Sequence, residues 1–334
     1  MDKLVSIVII NWNNKDYLER CIESINNQTY SNKEIIFIDN DSKDGSFDFF
    51  KEKFGDKKYI LVNNKENLGY SGAANQGIKL SNGEYIMIIN PDIIMEEDFI
   101  EKLCLFVEED SEIGALSGKL LKYDFKNDKK LNIIDSAGII IYKDRTCIDR
   151  GQNDEDLGQY NTTERVFGVC GAAPFYKRSA LEKIKIENEY FDEDFFAYKE
   201  DIDLSWRLNK AGYKCVYYPK AIAYHGRGLG GTKGGMVNLI KHRRKQSKFL
   251  RGLSFRNQLL MLFKNEEGES YKRDKVRIYS RIIKTVLFSA LFEQFNFRYL
   301  KQAIKLRKKM ILKKRAFNKQ LGNIEFDIKD LTNM

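Results

Sequence analysis

The chain is poor in the residues that build metal clusters, disulfide frameworks and rigid turns. It holds two histidines in 334 residues, His225 and His242, so a His-rich metal site is excluded. Its five cysteines (Cys21, Cys104, Cys147, Cys170 and Cys215) are scattered and contain no Cys-x-x-Cys pair. That excludes a thiolate zinc cluster and predicts free thiols in a reducing compartment. Three prolines and 23 glycines exclude a collagen-like or Pro-rich chain. No uninterrupted apolar run of about 18 residues occurs, so no membrane-spanning helix is expected. The run Leu4–Ile10 is short and has no basic lead, and reads as a buried strand rather than a signal peptide. Two phosphate-binding loops are also missing. The segment Asn11-Trp12-Asn13-Asn14-Lys15 after the first strand contains no glycine, which removes the dinucleotide fingerprint, and no Gly-x-x-x-x-Gly-Lys-Ser/Thr loop is present. Phosphates bound by this chain need another counter-charge, and a divalent metal held by Asp92 would supply it.

What is present suits a packed protein. Hydrophobic residues make up 43% of the chain and charged residues 31%, enough apolar material for a core. The length suits one large domain with an appendage, or two domains. The net charge of +9 is unevenly distributed: Lys233–Gln320 carries 25 basic against 5 acidic side chains, whereas Met1–Thr232 carries 31 against 40. An acidic body with a basic extension predicts two tasks, and the basic part fits a polyanion such as an anionic membrane surface or nucleic acid.

Apolar periodicity predicts strands at Val5–Ile10, Glu34–Ile38, Tyr59–Val62 and Glu84–Ile89. Helices are predicted between and after them at Tyr17–Asn27, Ser46–Phe54, Gly72–Leu80 and Glu97–Val107. This alternation predicts an α/β fold, with a mostly parallel central sheet flanked by helices on both faces. Further strands are expected at Ile133–Ala137, Ile139–Tyr142, Phe167–Tyr176 and Cys215–Tyr218. Helices are expected at Arg178–Ile184 and Glu200–Ala211, and Asp149–Arg165 reads as loop. Six of the ten residues Gly226–Gly235 are glycine, which marks a loop and a boundary. From Val237 the chain reads as basic, amphipathic helix.

In open α/β sheets ligands bind at the carboxyl ends of the strands. There the sequence places Asn11 and Asn13, then Asp39 and Asp41, then Asn90 and Asp92. Each is also an ordinary turn or cap residue; three such ends on neighbouring strands would converge on one crevice. A second constellation runs from Phe191 to Arg207 and contains Asp192, Glu193, Asp194, Glu200, Asp201, Asp203 and Trp206. Acids are favoured in a first helical turn by the backbone dipole. The functional alternative is a carboxylate base at a cleft edge, with aromatics shaping a sugar-sized pocket. Third, His225 follows a predicted strand and immediately precedes the glycine-rich loop, where Arg227 and Lys233 could touch phosphate oxygens. A lone histidine of this kind also fits a structural role.

Taken in order, Val5–Asn13, Asp39–Ser46, Asn67–Asn75, Asn90-Pro91-Asp92, Phe191–Phe196 with Glu200–Leu204, and Tyr218–His225 resemble the inverting GT-A glycosyltransferases of family 2. The resemblance is to their rhamnosyltransferase and galactofuranosyltransferase-like branch, and the segment Arg256–Leu260 resembles that branch too. It implies a Rossmann-like GT-A catalytic domain over residues 1–235, with a nucleotide-sugar half (1–110) and an acceptor half (111–235), and a basic helical C-terminal extension over 236–334. It implies that Asn11, Asn13, Asp39, Asp41, Asn67, Gly72, Asn75, Asn90 and Asp92 surround the donor, a dTDP- or UDP-sugar, with rhamnose the first choice. It further implies that Asp92 and His225 hold Mg²⁺ or Mn²⁺, that Asp201 is the general base supported by Glu200, and that Gly171, Trp206, Arg227 and Lys233 lie on the acceptor or phosphate side. Asn90 departs from the family's Asp-x-Asp form, leaving fewer carboxylates for the metal.

The expected protein is a cytoplasmic transferase, peripherally attached to the inner face of the membrane. It would extend a saccharide or lipid-linked saccharide in cell-surface polysaccharide assembly. A homo-oligomer is left open. Two rivals are a catalytically inactive nucleotide-sugar-binding scaffold and a nucleic-acid-binding protein using the basic region. The absence of any zinc-finger or RNA-recognition signature argues against nucleic acid. For the basic region itself, packing on the catalytic body competes with an interfacial membrane anchor.

Overall fold

In the computed structural model, residues 2–55, 58–226, 243, 246–322, 324 and 326–333 are described. Four parallel strands form one half of the central sheet. They are β1 (Val5–Asn11), β2 (Lys33–Asp39), β3 (Tyr59–Asn63) and β4 (Tyr85–Ile89), and β1 lies between β4 and β2. Their connections are α1 (Lys15–Asn26), α2 (Ser46–Phe54) and α3 (Gly69–Leu80). β1 and β4 are buried along their whole length rather than alternating, as expected where both faces are covered. Val5, Ile7 and Ile9 face one side with Leu18, Cys21 and Ile22 of α1 and Phe50 of α2. Val8 and Ile10 face the other side with Ala73, Ala74 and Ile78 of α3. Full burial of each such side chain stabilises by about 1.5–3 kcal/mol. The five cysteines are free thiols.

After β4 come β5 (Ile93–Met95), α4 (Phe99–Val107), β6 (Ile113–Asp124), β7 (Lys129–Ser136), β8 (Ile139–Tyr142), β9 (Cys147–Asp149), β10 (Glu164–Val166) and β11 (Phe175–Lys177). Then follow α5 (Arg178–Ile184), α6 (Glu200–Lys210) and β12 (Lys214–His225). The second half of the sheet is mixed. β11 runs antiparallel between β4 and β6, whereas β12 pairs parallel with β6. β6 was not legible as a strand, and β12 extends well past the expected Cys215–Tyr218, as far as His225. Within the segment read as loop, residues Glu164 and Arg165 pair with β12.

One expected strand is overturned. Only Phe175 and Tyr176 of Phe167–Tyr176 lie in a strand; Gly168 makes an isolated antiparallel bridge to Ile139, and the rest is an irregular, mostly buried crossing. Gly171 and Pro174 interrupt any ladder there. The backbone groups of Gly171 and Ala172 are instead spent on the site described below.

Beyond the glycine-rich segment, which lies almost wholly outside the described residues, three long helices follow among the described residues. They are α7 (Lys248–Asn265), α8 (Gly268–Phe292) and α9 (Asn296–Gln320). Leu259, Leu260 and Met261 of α7 and Met310 of α9 share a core with Phe167, Phe195 and Trp206 of the body. Part of the basic charge is consumed internally. Lys264 Nζ, 1% exposed, bridges Asp192 at 2.7 Å and Asp203 at 2.8 Å. Lys313 reaches Glu189, Asp192 and Asp194, and Arg207 holds Asp203 from the other side. A short strand, β13 (Thr332–Asn333), joins β8 and β9 in a small second sheet.

Candidate active site

The carboxyl ends of β1 and β2 are locked to each other. Asn11 is buried at the end of β1 and donates to Asp39 Oδ2 at 2.8 Å and to Ser42 Oγ at 3.1 Å. Asp39 accepts from the Ser42 backbone N–H at 2.8 Å on its other oxygen. Asn13 and Asp41 adopt left-handed backbone at φ 54° and 67°, a conformation that asparagine and aspartate tolerate better than most residues. Asn13 Oδ1 caps the Lys43 N–H at 2.7 Å, and Asp41 pairs with Lys43. Asn67 accepts from Asn40 Nδ2 and from the Gly69 N–H. Gly72 faces Leu68, where a Cβ would come within 2.8 Å. Asn75 is buried, and its amide is spent on the backbone of Tyr190 and Phe191 and on Glu193. The structure therefore gives Gly72 and Asn75 packing and pinning duties rather than contacts to a nucleotide.

Two further segments meet on the irregular crossing. The Asn90 N–H donates to the Ala172 carbonyl at 3.0 Å, which ties the Asn90-Pro91-Asp92 turn down. Next along that crossing, the Gly171 N–H donates to Asp201 Oδ2 at 3.3 Å, and the Gly171 carbonyl accepts from Tyr70 OH at 2.8 Å. A Cβ at Gly171 would lie 3.3 Å from the Asp201 carboxylate, so glycine permits the close approach. Adjacent residues thus join the Asp92 turn to Asp201.

His225, at the end of β12, stands between two carboxylates. Its Nδ1 lies 2.7 Å from Asp135 Oδ2 and its Nε2 lies 3.4 Å from Asp92 Oδ2. Burial alone would lower its pKa, but Asp92 and Asp135 outweigh burial and raise it to about 9. Asp135, buried at the end of β7, fixes the imidazole so that Nε2 faces Asp92, the outer-shell arrangement common at metal-binding histidines. One carboxylate and one imidazole around a net negative pocket suit a divalent cation whose remaining ligands come from phosphate and water. Among the described residues no group of three or more His, Cys, Asp or Glu completes a cation site, so a cation beside Asp92 and His225 would need most of its ligands from elsewhere.

Glu200 and Asp201 open α6. The chain enters through three non-glycine residues in left-handed backbone, Phe196, Tyr198 and Lys199, at φ 64°, 71° and 72°. Each such residue stores on the order of 1–3 kcal/mol. The clamp that holds them comes from α7. Asn257 Nδ2 lies 2.8, 2.8 and 2.7 Å from the carbonyls of Phe195, Ala197 and Tyr198. Arg256 donates to the Asp194 and Phe195 carbonyls. Burial, then the Asp201 charge, raises the Glu200 carboxyl to about 8. Burial, then the nearby Asp149 carboxylate on β9, raises Asp201 too. Among the described residues Glu200 Oε2 has no hydrogen-bond partner. Burial and mutual repulsion thus oppose ionising both carboxyls of the pair at once.

One expectation for this constellation is corrected. Trp206 does not face an acceptor: it is 3% exposed and packs edge-on against Phe167 in the core. Asp192 and Asp203 are the buried counter-charges of Lys264, Lys313 and Arg207. Arg227 and Lys233 lie outside the described residues. Asp135, Asp149, Asn257 and Lys264 were not picked out as site residues. The signals were a charge inside the apolar run Ile133–Ala137 and the Arg256–Leu260 resemblance, which carried no role.

Comparison with known proteins agrees with this geometry. The model of the family described as glycosyl transferase family 2 matches residues 6–185. Poly-beta-1,6-N-acetyl-D-glucosamine synthase of Staphylococcus aureus is 28% identical over 221 residues, 66% of this chain and 49% of the relative. The Staphylococcus epidermidis enzyme of the same name is 27% identical over the same shares. The chain thus spans about half the length of the curated relatives it matches. Among solved structures, the mannosyltransferase PcManGT of Pyrobaculum calidifontis, in complex with GDP-Man and Mn²⁺, is similar with a TM-score of 0.52 and 16% identity, covering 96% of this chain and 86% of that one. TarS of S. aureus has a TM-score of 0.54 and 13% identity, covering 96% and 54%. These likenesses show the fold, the GT-A arrangement of a central sheet flanked by helices. The family match extends over more than half of the chain, and the chain belongs to glycosyl transferase family 2.

Proposed function

We propose that this protein transfers one sugar from a nucleoside-diphosphate sugar to a saccharide hydroxyl with inversion at the anomeric carbon, in polysaccharide assembly at the cell surface. The observation that carries the reading is the pairing of Asn90 and Asp201 with adjacent residues of one crossing segment. It supports a reading in which the diphosphate side and the base side of a displacement lie within reach of each other. Asp201 accepts the proton of the acceptor hydroxyl as its oxygen bonds to the anomeric carbon. The bond to the diphosphate oxygen breaks and the nucleoside diphosphate leaves. General-base assistance of this kind accelerates by about 10²–10⁴-fold. Asp92 and His225 would hold Mg²⁺ or Mn²⁺. When bound, the cation offsets charge on the departing diphosphate. The solved mannosyltransferase complex with GDP-Man and Mn²⁺ supports this assignment by its shared fold.

The branch resemblance favours a deoxyhexose donor, dTDP-rhamnose. Similarity to poly-beta-1,6-N-acetyl-D-glucosamine synthases favours a second reading, an N-acetylglucosamine donor. The acceptor is read as a saccharide carried on lipid, with the protein held against an anionic membrane surface. A thermal-shift screen of dTDP-, UDP- and GDP-sugars, each with and without Mn²⁺, tests the donor reading, because a ligand that binds only the native state raises the melting temperature. A metal-dependent shift with one nucleotide is expected. Asp201→Asn should keep that shift and lose transfer, and substantial retained transfer would remove Asp201 as the base.

A further inference from the structure

The three C-terminal helices differ in how they use their apolar residues. Those of α7 are buried or half-buried except Phe249. Those of α8 divide into two sets. Ser270, Asp274, Ile278 and Ser289 face the protein, and Asp274 is anchored there by Arg145 Nη1 at 2.9 Å. Val276, Tyr279, Ile283, Leu287 and Leu291 are 74, 52, 57, 58 and 73% exposed. At about 100° per residue these five fall within roughly 120° of the helix circumference, opposite the packed set. Exposed cations flank the ridge: Lys275 on one side, Arg277, Arg281 and Lys284 on the other. Lys275–Phe292 contains no acidic residue.

Beside the ridge, an open cleft of about 610 Å³ separates α8 from the β8–β9 turn. Lys143, Arg277, Arg281 and Lys284 line it, together with Asp144 and Thr146. None of the four cations has an ion-pair partner among the described residues. The same β8–β9 hairpin carries Asp149, whose charge acts on Asp201. Thr146 and Asp149 are about 10 Å apart along an extended strand.

We infer that this face of α8 seats the protein on an anionic phospholipid bilayer, with the apolar ridge in the headgroup layer and lipid phosphates in the basic cleft. This deepens the membrane-side reading given above, and it rests on that reading only for the location of the acceptor. The charge pattern selects the occupant. An apolar ridge flanked by cations suits an interfacial helix on anionic lipid. A second copy of the chain meeting this face would set the same cations against each other, which opposes association. The β8–β9 hairpin then runs from the headgroup layer to the base, so a saccharide on a lipid phosphate would reach Asp201 without leaving the surface.

The test is flotation of the full chain with vesicles of phosphatidylcholine alone or mixed in equal parts with phosphatidylglycerol. Binding to the mixed vesicles and little to phosphatidylcholine alone is expected. Arg277→Glu, Arg281→Glu and Lys284→Glu together should weaken binding by on the order of 100-fold. Ile283→Asp with Leu287→Asp should abolish it while leaving the melting temperature unchanged, since both side chains point outward. Leu287→Trp should shift its fluorescence to the blue on mixed vesicles. Failure of the unaltered chain to float, or flotation that survives both sets of substitutions, overturns the inference. So does light scattering in which the ridge substitutions dissociate a dimer while flotation persists, because a second copy would then be the occupant. No donor is used in these assays, so their failure is distinguishable from failure of the transferase reading.

Discussion

Lys264→Met removes a buried cation while keeping the volume and flexibility of the side chain. In the folded protein Lys264 Nζ lies between Asp192 and Asp203, whose side chains are 2% and 0% exposed. Breaking a buried pair by removing one partner costs about 3–5 kcal/mol, because an uncompensated charge stays behind. Here neither carboxylate is left bare. Asp203 keeps Arg207 and the Asn265 amide, and Asp192 keeps Lys313 at 2.6 Å. The loss should therefore lie at the lower end, about 3 kcal/mol at pH 7. Urea unfolding measures it, as a lowered midpoint with an unchanged slope. The pH dependence has a definite sign. Burial opposes ionisation of Asp192 and Asp203, yet the lysines, with Arg207 at Asp203, hold both below the ordinary carboxylate range. Their contribution is present above the unfolded pKa of about 3.9 and is lost as pH falls through the folded values. In the variant the carboxylates protonate at higher pH, which relieves the stranded charge, so the gap between the two proteins should narrow on acidification. Asp203→Asn added to Lys264→Met should recover part of the loss. A difference under about 1 kcal/mol at pH 7, or one that does not change down to pH 3, would refute the reasoning.

Three further outcomes are expected. Asn257→Ala should lower stability by about 2 kcal/mol through its lost backbone contacts, and should lower kcat far more than it raises donor KM; equal effects on both would remove its role in presenting Asp201. Asp149→Asn removes a charge that raises Asp201, so the acid limb of the pH profile of kcat/KM should move to lower pH; an unmoved limb would detach that limb from Asp201. Asp135→Asn should weaken Mn²⁺-dependent donor binding by about 10–100-fold in calorimetry, and unchanged affinity would deny His225 its place beside the cation.

The nucleotide half was legible because its signals are local. Short apolar runs and amphipathic helices alternate at regular spacing, and each of its four strands and their connecting helices stands within a few residues of expectation. The Asp92–His225 pair and the Glu200–Asp201 step were legible as ordered motifs. What failed depends on contacts between residues far apart. Trp206 and Asp203 sit on the same short helix as Asp201, and sequence does not say which side of a helix meets the core. The crossing Phe167–Pro174 is as apolar as a strand, but its backbone is claimed by Asp201, Asn90 and Tyr70. Lys264 and Lys313 could not be told from the other cations of the basic region, because lysines that meet buried aspartates 61 or 121 residues away look the same in sequence as lysines in water.

Those separations bear on when the protein can first work. The helix that begins with Glu200 and Asp201 carries Asp203 on its inner side, and its counter-charge Lys264 is synthesised 61 residues later. The loop before it ends in three left-handed residues held by Asn257. Until α7 has left the ribosome and docked, that helix would bury an acid without its cation, and the loop could relax to easier backbone. The sheet can form early from neighbours in sequence, whereas Asp201, the proposed base, reaches its position only by long-range closure, which is the slow part of folding. On the proposed reading, a nascent chain able to bind nucleotide would still be unable to spend it.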